Sequence, residues 1–130
     1  MKGQLRKITV ENNEYIYTIR ELYERESGAT TLVIRMFLSG QKSKPLIVHI
    51  VTFCDTLYGH PLYVGVNILN HITNNVEHFN IHQPKYIRGF ILEAIKVGWT
   101  GANRMEIQNG VVYLNNLGLD ISSIVADNRG

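Results

Sequence analysis

One cysteine, three prolines and one tryptophan are spread over 130 residues. The lone cysteine, Cys54, excludes an internal disulfide, so the fold has to rest on a buried apolar core. No stretch approaches the roughly 18–20 consecutive apolar residues that a membrane-spanning helix requires. The opening residues, Met-Lys-Gly-Gln-Leu-Arg-Lys, have charges but no apolar segment behind them and do not read as a signal peptide. These absences favour the cytoplasm of a bacterium-like cell and no membrane partner. Like charges never run five in a row: thirteen basic and eleven acidic residues are interspersed, for a net charge of +2. The densest basic spots are Arg6-Lys7 and Lys42-Ser43-Lys44. A nucleic-acid groove carries a basic stripe with interleaved aromatics, and that pattern is missing. These residues read as solvated loop or strand edge, and binding of nucleic acid through Arg6, Lys7, Lys42 and Lys44 is a third-ranked reading.

The apolar fraction of 45% is that of a folded protein, and the length suits one domain over residues 1–130. The clearest element is a helix from Pro84 to Gly98. At about 100° per residue, Tyr86, Ile87, Phe90, Ile91, Ala94, Ile95 and Val97 share one arc, with Lys85, Gly89, Glu93 and Lys96 opposite. Pro84 suits the first turn, where a missing N–H is harmless. Gly98 suits a left-handed position just past the end, after which Trp99 can fold back onto the last turn.

The first half alternates with period two and reads as a strand meander: Ile8–Val10, Glu14–Leu22, Thr30–Leu38 and Pro45–Phe53. The breaks, Glu11-Asn12-Asn13, Glu26-Ser27-Gly28 and Ser39-Gly40-Gln41, carry turn residues. Residues 54–61 read as a loop. Gly65–Thr73 fits a strand or a helix; a strand is preferred, because Asn74-Asn75 then makes a tight turn into a second strand, Val76–His82. In that strand Phe79 and Ile81 face the core, with His78, Asn80 and His82 on the other side. Glu106–Leu119 has two readings, a hairpin about Asn109-Gly110 or a short helix capped by Asn109 and ended by Gly118, with Leu119 packing back. The repeated glycine-then-apolar ending favours the helix. Residues 125–130 form a tail with few apolar residues, expected to fray.

Candidate chemistry is sparse. His78 and His82 have ligand spacing only on a helix; on a strand they lie about 13 Å apart. With no cysteine pair or His-Glu-x-x-His arrangement beside them, no metal and no cofactor is expected, and exposed strand histidines are the preferred reading. Cys54, Asp55 and His60 are the only grouping that suggests nucleophilic catalysis, which would need a histidine in reach of the thiol and a third group to orient it. No phosphate-binding glycine loop, Gly-x-Ser-x-Gly elbow or paired carboxylates stand out.

The informative oddity is a surplus of apolar faces. Pro45–Phe53 is apolar on both sides, and Thr30–Leu38 places Val33 and Phe37 opposite its fully apolar side. One helix covers one face of a small sheet, so something else must cover the other. The short C-terminal helix or the 54–64 loop is one candidate. A second copy across a two-fold axis is the other, meeting Val33, Arg35, Phe37 and the neighbourhood of His49.

Read in order, Ile8-Thr9-Val10, the Tyr15-x-Tyr17-x-Ile19-Arg20 strand and Phe79-Asn80-Ile81-x-x-Pro84-x-Tyr86-Ile87-Arg88 leading into a helix ending Gly98-Trp99 resemble small uncharacterised bacterial proteins. The resemblance spans most of residues 8–99. Its motifs are structural, and it implies no activity, ligand or site residue. The expected fold is α+β: a mostly antiparallel sheet of about five strands, with the main helix on one face and a short C-terminal helix. The expected function is a non-enzymatic binding or interaction protein, homodimeric through the sheet, with a possible further protein partner. An accessory product such as an immunity-like or antitoxin-like protein fits that description. The alternative is a small enzyme or ligand binder built on residues 54–60 with His78 and His82.

Overall fold

Alternation in the first half produces the expected meander. In the computed structural model, which describes residues 5–52 and 61–121, four antiparallel strands follow one another: β1 (Arg6–Val10), β2 (Asn13–Tyr23), β3 (Thr30–Leu38) and β4 (Leu46–Thr52). A two-residue strand, β7 (Gln108–Asn109), joins β4 in parallel and completes a five-stranded sheet in the order β1-β2-β3-β4-β7. The register sets Tyr17, Met36 and Leu46 in one row and Ile19, Ile34 and Val48 in the next. All six are buried, so every second residue of the three central strands feeds one core. The fold is α+β, as expected.

A separate hairpin, β5 (Val66–Asn70) and β6 (Asn75–Phe79), forms its own two-stranded sheet. Its connection departs from the sequence reading. Asn75 pairs with Asn70, so the turn is residues 71–74 and not Asn74-Asn75. The Asn70 side chain decides this, because its Oδ1 accepts from the backbone N–H of Ile72 (2.8 Å) and of Thr73 (3.2 Å). Asn74 then takes a left-handed φ of 61° to return the chain. The second strand also ends earlier than expected, at Phe79. Asn80 turns the chain by accepting from the N–H of His82 (2.9 Å), so His82 is not a strand residue.

Three helices lie on the core side among the described residues: α1 (Pro61–Val64), α2 (Pro84–Lys96) and α3 (Gly110–Asn116). Leu62 of α1 is buried in the common core. Both longer helices end alike. The N–H of Trp99 reaches Ala94 O at 2.9 Å and that of Leu119 reaches Leu114 O at 3.0 Å, across Gly98 and Gly118 in left-handed conformations. This glycine-ended cap satisfies the orphan carbonyls and turns an apolar residue back to the core. The start of α3 is the expected one, with Asn109 Oδ1 accepting from the Val111 N–H at 2.9 Å. The helix reading of Glu106–Leu119 therefore holds. Gly110 lets α3 touch β4, since a Cβ there would lie 2.2 Å from Ile50 Cγ1.

The buried stripe of α2 differs from the sequence-derived arc. Ile95 and Val97 are 39% and 58% exposed, while Glu93, expected outside, is only 6% exposed. The helix packs against α3 as well as the sheet, and α3 approaches on the Glu93 side. Glu93 tolerates burial because Asn116 Nδ2 donates to one carboxylate oxygen (3.1 Å) and Lys96 Nζ to the other (3.2 Å).

Phe90 lies fully buried between sheet and helices, its ring edge-on to Tyr113 at 5.8 Å. Phe90→Ala is expected to remove about 3–5 kcal/mol of stability through lost transfer energy and a residual cavity. Val97→Ala should cost less than about 1 kcal/mol, because that residue is mostly exposed. Urea midpoints of the two variants check the observed stripe; equal losses would contradict it.

Candidate functional site

Two features of the described surface have the makings of a site: a small cleft beside the hairpin and the open face of the large sheet.

The cleft has a volume of about 230 Å³ and is lined by Asn70, Glu77, Lys85, Tyr86, Leu117 and Leu119. Glu77 points inward from β6 and is the hub. The Tyr86 hydroxyl, from the first turn of α2, donates to its Oε2. Asn70 Nδ2 donates to Oε1 at 3.0 Å, and Lys85 Nζ stands 3.5 Å from Oε2. Hydrogen bonding from Tyr86, then from Asn70, together with the Lys85 charge, holds the Glu77 carboxyl below its usual range despite partial burial. Burial and the facing carboxylate push the Tyr86 phenol well above its ordinary value. At neutral pH the pair is a carboxylate and a neutral phenol. The cluster ties the hairpin to α2, where Phe79 and Tyr86 also stack with ring centroids 4.0 Å apart. A second tie joins α2 to α3 through Glu93. Burial, with the Glu93 charge, pushes the Tyr113 phenol up to about 12.

The outer face of the five-stranded sheet is different in kind. The register lines up Lys7, Ile16 and Phe37 in one row, then Thr18, Arg35 and Ile47, then Arg20, Val33 and His49, then Leu22, Thr31 and Val51. Helix α3, one expected cover for this face, packs on the opposite side against Val48 and Ile50. No described helix or hairpin lies over these rows. Leu22 and Val51 are 47% and 36% exposed, and Ile16, Val33 and Ile47 are half-buried by their own strand neighbours. Phe37 is the exception at 6% exposed. The Arg35 guanidinium lies over its ring, 5.2 Å from the centroid, and donates to Lys42 O at 3.1 Å. The guanidinium thus pins the β3–β4 loop and caps Phe37. Desolvation lowers the affinity of His49 for a proton.

Cys54, Asp55 and His60 lie outside the described residues, as does the 125–130 tail. His78 and His82 are held by different partners. His78 Nδ1 is 3.1 Å from Asn67 Oδ1 and its ring lies over Gly65, whereas the His82 ring stands edge-on to Tyr63 at 4.5 Å. Burial chiefly, then the nearby Arg6 charge, keeps His82 below its usual pKa against an opposing pull from Glu21. Among the described residues no group of three His, Cys, Asp or Glu side chains is placed to hold a metal. No helix is long and apolar enough to cross a membrane among them. The basic candidates do not form one stripe: Arg6 and Lys7 project to opposite sides of the edge strand β1, and Lys42 and Lys44 lie in the β3–β4 loop. Charged residues on an edge strand discourage strand addition by another chain, which is one role for Arg6-Lys7.

Sequence reasoning missed the Glu77 cluster because Glu77 and Tyr86 are nine residues apart in different elements. The one local signal was Asn70 ahead of His-Ile-Thr-Asn, an Asx-type turn. No protein-family model, curated protein or solved structure matches this chain.

Two outcomes test the electrostatics. Tyr86→Phe should cost about 1–3 kcal/mol in urea, because a partly buried carboxylate loses its strongest donor. His49 and His82 both bind protons less readily when folded, so the unfolded chain takes up protons first as pH falls below 6.5. Stability should therefore drop through that range. It should drop again below about 4.5, where Glu77 is protonated in the unfolded chain before the folded one. A urea midpoint that stays flat from pH 7 to 5 and does not change with His49→Gln would contradict the placement of His49.

Proposed function

We propose that this protein is a non-enzymatic interaction module whose contact surface is the outer face of the five-stranded sheet. The observation that carries this reading is the row pattern: Val33 lies diagonal to Leu22, Ile47 and Val51, with Ile16 two rows further along, on one face with no described element over it. Isolated apolar residues on a surface need no explanation, but aliphatic side chains set diagonally across three strands of a sheet, within reach of one another, mark a place where another surface docks. The polar clusters elsewhere support the same reading from the other side. Glu77 and Glu93 are each satisfied by neighbours within the chain, and their partners join one element to the next. They act as ties of the scaffold. A second copy of the chain and a different protein are both candidate occupants, and an accessory, immunity-like role suits either.

Quantitative capture from lysate of the source cell tests the surface. Leu22→Asp and Val51→Asp should each lose a partner that the unmodified chain retains, by about tenfold or more for a charge placed in a desolvated patch. Val112→Asp makes the same charge change at an exposed position on α3, across the molecule, and should keep it. Partners retained equally by all three variants, with urea midpoints unchanged, would overturn the reading.

A further inference from the structure

The charges on the outer face say more about what docks there than its apolar floor does. In three successive rows each row carries one cation, Lys7 beside Ile16, Arg35 beside Ile47 and Arg20 beside Val33. With rows about 7 Å apart and strands about 4.8 Å apart, the three fall within about 14 Å. No carboxylate among the described residues pairs with any of them. Among the described residues the acidic side chains at this face lie at its two ends, Glu11 in the β1–β2 turn with Glu14 opposite Thr9, and Glu24 and Glu26 in the β2–β3 turn. Lys42 and Lys44 add positive charge at the side where Arg35 holds the β3–β4 loop.

We propose that the occupant of this face is an acidic protein segment, its carboxylates set against Lys7, Arg20 and Arg35 and its aliphatic side chains on Val33 and its diagonal neighbours Leu22, Ile47 and Val51. This rests on the interaction reading above and names the partner's chemistry. A second copy fits the face less well. A two-fold axis through the middle of this face would bring the cation-bearing patches of the two copies together, and like charges in a drying interface oppose association. A single-stranded nucleic acid fits less well too. Stacking needs an open aromatic ring, and Phe37, the one benzenoid ring in these rows, lies beneath Arg35. An aliphatic floor with interspersed cations is instead complementary to a segment in which carboxylates alternate with apolar residues, since an extended chain presents alternate side chains to one face.

The test measures binding of a fluorescein-labelled peptide in which Glu alternates with Leu and Ser, by anisotropy, at low and physiological salt. The peptide should bind and weaken with salt. Replacing its Glu by Gln, or making Lys7→Glu with Arg20→Glu in the protein, should each weaken it by about tenfold or more. Both protein positions are exposed, and an unchanged urea midpoint shows that the double variant folds. Absent binding, or equal binding of the Gln peptide, overturns the assignment. So does tighter binding of an oligothymidylate of the same length, which points to nucleic acid. Light scattering of the protein alone gives the last arm: a dimer mass that Val51→Asp reduces to a monomer identifies a second copy and also overturns it. If the acidic peptide fails while Leu22→Asp and Val51→Asp still lose their captured partner, the face remains an interface and only its acidic partner is wrong.

Discussion

A sheet has two faces, and the described helices lie on only one of them. That constraint organises the molecule. The core face collects Tyr17, Ile19, Leu32, Ile34, Met36, Leu46, Val48 and Ile50 from three strands and meets Phe90 and Ile91 of α2, Leu114 of α3 and Phe79 of the hairpin in one continuous core. Burial of this set is the main favourable contribution to folding. Everything else either holds that second layer in position or is left facing outward. The glycine-ended caps of α2 and α3 return Trp99 and Leu119 to the core, and Gly110 allows α3 to touch β4.

The polar interior follows from the same arrangement. The described second layer comprises α1, the hairpin, α2 and α3, which must be fixed to one another as well as to the sheet. Glu77 joins the hairpin to α2 through Tyr86, and Glu93 joins α2 to α3 through Asn116. Buried or half-buried carboxylates are unfavourable unless hydrogen-bonded, and both are supplied with donors on each oxygen. Such ties fix the angle between elements more than they add to stability. The two carboxylates that look most like chemistry are in this account positional.

Most of the fold was legible because its signals are local. Period-two alternation identified β2, β3 and β4 with their inward residues, and glycine followed by an apolar residue marked the ends of both longer helices. The failures are equally physical. Glu93 reads as solvent-facing until Asn116, 23 residues later, arrives to satisfy it. Phe37 reads as available for an interface, yet Arg35 two residues earlier folds over it. The strand β7 is two residues long, too short for any periodicity, and exists because α3 must start against β4. The hairpin turn was misplaced because the Asn70 side chain, not Asn74-Asn75, governs it. Of the candidate site residues, Val33, Arg35, Phe37 and His49 share the outer face, while His78 and His82 go to separate partners.

The claim on which the account turns is that the outer face is open to solvent in the isolated chain. Methyl NMR with a soluble paramagnetic agent measures this residue by residue. The methyl groups of Ile16, Val33, Ile47 and Val51 should relax strongly, Leu22 with them, while those of Leu32, Ile34, Val48 and Ile50 on the same strands stay protected. Protection of both sets alike would mean that the outer face is already covered, and the account of it as a docking surface would be wrong.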